Sequence, residues 1–64
     1  MEEGQIEYVK EIMYFNDWIE IEGGAWIDPI NEHAHYLPVE DIVKIFGPTM
    51  MLPDGSMGLT LEKT

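Results

Sequence analysis

The chain has no cysteine. That excludes disulfides, thiolate metal sites and cysteine nucleophiles, and it suits a reducing, cytoplasmic setting. Cations are nearly as scarce: 3 Lys+Arg stand against 13 Asp+Glu, a formal net charge of -10. Direct nucleic-acid binding depends on Lys and Arg displacing counterions from phosphates, so this balance argues against it. An anionic membrane surface is disfavoured for the same reason. No apolar run approaches the roughly 20 residues that span a bilayer. The opening Met1-Glu2-Glu3-Gly4 is acidic where a signal peptide would be positive, so export is not expected. Serine occurs once, as Ser56, with no base at a recognisable offset. Neither G-x-G-x-x-G nor G-x-x-x-x-G-K is present, so no phosphate-cradling loop is signalled. Low-complexity runs and internal repeats are also missing.

What remains is a 64-residue chain, 45% hydrophobic, with two Trp, three Tyr and two Phe. Residues 1–64 make one domain with a thin core, since a chain of this length buries only about 60% of its unfolded surface. Turn signals at Gly23-Gly24, Pro29, Pro38, Gly47-Pro48 and Pro53-Asp54-Gly55 cut it into short pieces, the spacing of strands more than of long helices.

Met57, Leu59 and Leu61 alternate with Gly58, Thr60 and Glu62, which predicts a strand. The turn Pro53-Asp54-Gly55-Ser56 joins it to the apolar run Thr49–Leu52, making a hairpin. A second hairpin is predicted from Trp18-Ile19-Glu20-Ile21-Glu22 through Gly23-Gly24 into Ala25-Trp26-Ile27, with Ile19 and Ile21 on the buried face. His33–Leu37 resumes as a strand. Val39–Phe46 is open to either reading: Pro38, Glu40 and Asp41 at its start and Gly47-Pro48 at its end favour a short helix, while its β-branched content suits a strand. Residues 5–15 are split as well. Ile6, Val9, Ile12 and Met13 have helical spacing, but Tyr8-Val9 and Ile12–Phe15 have strand content, and a strand is the preferred expectation for Ile12–Phe15 alone. The expected architecture is therefore a small β-rich domain, all-β or α+β. It has four to six short antiparallel strands in a curled sheet or small barrel, with room for one short helix over 39–46.

Three constellations carry chemistry. His33-Ala34-His35 would place two imidazoles on one face of a strand, where Asp28, Glu32 or Glu40 would complete a metal site. A lone HxH is a weak motif, and exposed or hydrogen-bonded histidines account for it as well. The paired carboxylates Glu2-Glu3, Glu20 with Glu22, and Glu40-Asp41 suit acid–base catalysis only inside a pocket that separates their pKa values, and 64 residues leave little room for one. A solvated strand face explains Glu20 and Glu22 more simply. Trp18, if it shares that face, is an aromatic rimmed by acids, which suits a protein-binding patch. Its alternative role is as core, where an aromatic contributes most to so small a domain.

The acids are spread in ones and twos along the chain instead of forming a tail. Most have no cation to pair with, so their field should steer a basic partner. The expected function is thus a non-enzymatic interaction protein with no cofactor. It would bind the basic surface of a larger, nucleic-acid-handling protein and inhibit or modulate it, through Trp18, Glu20 and Glu22, with Glu40 and Asp41 second, either as a nucleic-acid mimic or as an ordinary acidic face. In size and charge, though not in any motif, the chain is similar to small acidic inhibitors that phages encode against restriction and CRISPR defences. The alternatives are a metal-binding protein using His33 and His35, or a homo-oligomer whose thin core is completed by its neighbour.

Overall fold

The computed structural model describes residues 2–61. Helix α1 spans Glu3–Phe15. Three short strands follow: β1 (Ile19–Ile21), β2 (Ala25–Ile27) and β3 (Ala34–His35). Helix α2 (Val39–Phe46) runs directly into a 3-10 turn over Gly47–Thr49. The strands form one antiparallel sheet in the order β1-β2-β3. The expectation of four to six strands in a curled sheet or barrel is therefore corrected: the fold is α+β, with two helices against a three-stranded sheet.

The largest departure is α1. Ile12–Phe15, read as a strand on content, is the last turn of a helix. The helical spacing decides the outcome, because it lets Val9, Ile12 and Met13 all enter the core from one stripe. The helix ends in a Schellman motif. Asp17 sits in the left-handed region at φ 69°, its N–H donating to Tyr14 O at 3.0 Å, while Trp18 N–H donates to Met13 O at 2.9 Å. Trp18 and Met13 are both core residues, so the cap also carries its apolar contact. A glycine would hold that conformation without the Cβ penalty. Asp17→Gly is expected to raise stability by about 0.5–1 kcal/mol, which a urea melt would measure.

The first hairpin forms as its glycines require, with Gly23 at φ 84° and Gly24 at 76°. Its faces are inverted from the expected arrangement. Trp18 is 5% exposed and Ile19 57% exposed. Alternation defines two faces but not which one is buried, and the two Trp rings contribute more to a thin core than the isoleucines do. Trp18 and Trp26 therefore point inward, together with Val9, Ile12, Met13, Ile42, Val43, Met50 and Leu59.

The C-terminal hairpin is reduced to its turn. Asp54 Oδ1 accepts from Ser56 N–H at 2.9 Å, Gly55 takes φ 92°, and one bridge pairs Met51 with Met57. Leu52 N–H donates to Ser56 O and Gly58 N–H to Met50 O, flanking that bridge. The groups of Met51 on its other side are taken by a side chain: Asn16 Nδ2 donates to Met51 O at 2.8 Å, and Asn16 Oδ1 accepts from Met51 N–H at 2.7 Å. Beyond Gly58 the chain leaves its partner, as Leu59 N–H donates to Gly47 O at 2.8 Å and its side chain enters the core. Glu62, the last position of the expected strand, lies outside the described residues.

Candidate functional site

The inner face of the sheet is built from residues paired across the strands. Glu20 faces Trp26, and Trp26 faces His35. Around this row the structure gathers a polar cluster at the sheet–helix junction. The His35 ring lies against Phe46 of α2, with centroids 5.1 Å apart, and against Trp18 at 5.8 Å. Its Nε2 is 3.5 Å from Asp28 Oδ2, buried and without a hydrogen-bond partner.

Asp28 is the one buried charged residue of the described chain. Its Oδ1 accepts from Ile30 N–H at 2.7 Å and Asn31 N–H at 3.4 Å. Its backbone N–H donates to His33 O, and its carbonyl accepts from Glu32 N–H. Burial alone would raise the carboxyl, but the two loop N–H groups and His35 outweigh it, so the group is held below its ordinary value. The result is a loop from Pro29 to Glu32 fastened at both ends, with Glu32 in the left-handed region at φ 57°.

Glu20 is occupied within the molecule. Tyr14 Oη donates to its Oε1 at 2.7 Å, and Lys10 Nζ is 3.2 Å from its Oε2. The Tyr14 hydrogen bond, with Lys10 second, lowers the Glu20 pKa, and the same bond raises that of Tyr14. Folding thus depresses both Glu20 and Asp28. The stability they contribute is complete above the ordinary carboxyl range near 4 and is lost as pH falls through their lowered values. Melting temperature should therefore drop on acidification below about pH 4. The acid limb should be shallower in Asp28→Asn, whose amide cannot titrate.

The residues of the expected binding patch occupy different settings. Trp18 is core, Glu20 is engaged by Tyr14 and Lys10, and Glu22 is exposed in the hairpin loop. Glu40 and Asp41 lie in the first turn of α2, where they complement the helix dipole. Glu40 is exposed and Asp41 half-buried. His33 is exposed and His35 half-buried, and among the described residues no three His, Cys, Asp or Glu side chains are grouped to hold a metal ion. Asp28, one of the three carboxylates offered for a metal site, does meet His35, but its other oxygen is committed to the loop backbone.

Sequence reasoning missed the outer face of the sheet. Ile19 pairs with Ile27, Ile27 with Ala34, and Ile21 with Ala25. Residues opposite one another share a face. Trp26 points inward, so these point out, and the available signal was the four-fold recurrence of isoleucine at positions 19, 21, 27 and 30. Among the described residues, no helix is long and apolar enough to cross a membrane. Compared with known families, characterised proteins and solved structures, the chain shows no significant match.

Proposed function

We propose that this protein is a non-catalytic acidic binding module that docks on the basic surface of a larger, nucleic-acid-handling protein and modulates it. The observation that carries this reading is the uncompensated charge. Against a net charge of -10, the described residues contain a single Lys–carboxylate pair, Lys10 with Glu20. A field of that sign and size accelerates encounter with a basic partner and repels nucleic acid itself. The inner polar cluster supports the same conclusion. His35 packs between two aromatic rings, and Asp28 holds a loop, so both act in the architecture of the domain.

The test is capture of partners from host lysate on the immobilised protein, elution in salt steps, and kinetics with the purified partner. A stoichiometric basic protein released by moderate salt is expected. Glu22→Lys with Glu40→Lys should slow its association several-fold and flatten the salt dependence, leaving dissociation nearly unchanged. A partner bound with rates insensitive to both salt and charge reversal would end this reading.

A further inference from the structure

We infer that the outer face of the sheet is the docking surface of this module, and that its occupant is a protein surface with an apolar centre bordered by Lys or Arg side chains. The inference rests on the binding-module reading and assigns it a place.

An antiparallel sheet with one face on the core ordinarily alternates apolar inside with polar outside. Here the outward ladder positions are Ile19, Ile21, Ala25, Ile27 and Ala34, none of them polar or charged. Only Ala25 among them is fully covered, while Ile19 is 57% exposed. Ile30, in the loop just beyond β2, is 82% exposed, and Tyr36, just past β3, is 74% exposed. Isolated exposed apolar residues need no explanation, but an apolar row across three strands, exposed at Ile19 and Ala34 and half-buried at Ile21 and Ile27, marks an interaction site.

The loop that presents Ile30 is already ordered. Asp28 Oδ1 accepts the Ile30 N–H, and the Asp28 N–H to His33 O bond closes the loop at its base. Binding through Ile30 therefore costs little further backbone ordering.

Charge selects the occupant. From residue 11 to residue 43 the sequence has no Lys or Arg. The exposed charged residues next to this face are Asp17 ahead of β1, Glu22 after it, and Glu32 beside the Ile30 loop. The carboxylates that flank these strands in the sequence thus have no Lys or Arg among them, and their other exposed polar neighbours are Asn31 and His33. A second copy of the chain would bring two such sets of carboxylates together, and like charges across an interface cost several kcal/mol. A partner with a basic border is complementary at both the centre and the rim.

The test is a titration of the 15N-labelled full-length protein with three twelve-residue peptides, followed by amide chemical shifts. One peptide alternates Leu with Lys, one alternates Ser with Lys, and one alternates Leu with Glu. The Leu–Lys peptide should produce saturable shifts at residues 19–21, 25–27, 30 and 34. The Ser–Lys peptide should give weak, salt-sensitive shifts spread over the acidic residues, and the Leu–Glu peptide none. Ile19→Ser and Ile30→Ser change exposed side chains, so the fold should survive, and together they should weaken Leu–Lys binding at least tenfold. Strong Leu–Lys binding centred on α1, or unaffected by those two variants, overturns the docking assignment while leaving the binding-module reading intact. Failure of both basic peptides to bind counts against the module reading itself. Concentration-dependent dimerisation that shifts the same outer-face amides would replace the basic partner with a second copy.

Discussion

Trp26→Ala is expected to lower the melting temperature of the protein by about 12–40 °C. Trp26 is 1% exposed on the central strand, opposite both Glu20 and His35, with the Tyr14 ring 5.4 Å away. Removing a buried Trp costs about 3–5 kcal/mol, part lost transfer energy and part cavity. A domain of this length holds roughly 3–10 kcal/mol in total at 0.05–0.15 per residue. Each kcal/mol moves the melting point of so small a domain by about 4–8 °C. Thermal melts followed by far-UV circular dichroism would show the loss, and Trp26→Phe should recover more than half of it. A drop under 5 °C for the alanine variant would mean that the core is not organised around this residue.

The second large effect comes from the smallest possible change. Gly47→Ala should cost about 2–3 kcal/mol, although alanine is the better helix former by about 1 kcal/mol. Gly47 is buried, and its backbone is ordinary right-handed helix, so dihedral strain is not the issue. A Cβ there would fall on the Leu59 carbonyl oxygen and lie 2.9 Å from Val43 Cγ1. The Leu59 backbone is drawn close because its N–H donates to Gly47 O. Relief would require moving main chain, along with the core residue Leu59. Gly4 provides the control. It lies in the first turn of α1 with nothing within 4 Å of its Cβ position, so Gly4→Ala should stabilise by about 0.5 kcal/mol. Urea unfolding of the two variants should give opposite signs, and matching signs would refute the steric account.

Legibility in the sequence followed where the physical signal was local. The ends of α2 are marked by Pro38 and by Gly47-Pro48, and the first hairpin by two glycines with positive φ. Features that depend on the rest of the chain were hidden. For α1, residue content and residue spacing disagreed, and burial of Val9, Ile12 and Met13 against α2 and the sheet settled the matter. The orientation of β1 was equally hidden, because Trp18, Glu20 and Glu22 look like a solvent face until the competing claim of Trp18 on the core is known. The same inversion put Trp18 in the core and Ile19 outside. The second hairpin was over-extended because nothing near Met51 in sequence announces that Asn16, thirty-five positions away, occupies its free backbone groups.

The uncharged outer face has a consequence for handling the protein. Its isoelectric point is near 4.1, so acidification to that value removes the repulsion that keeps molecules apart in solution. Below it, Asp28 and Glu20 also stop contributing to the fold. Among the described residues, β1 and β3 are the edge strands of the sheet, and β1 carries exposed Ile19, a template for intermolecular pairing. Colloidal and conformational stability thus both weaken on acidification, and the resulting precipitate should be β-rich and slow to reverse.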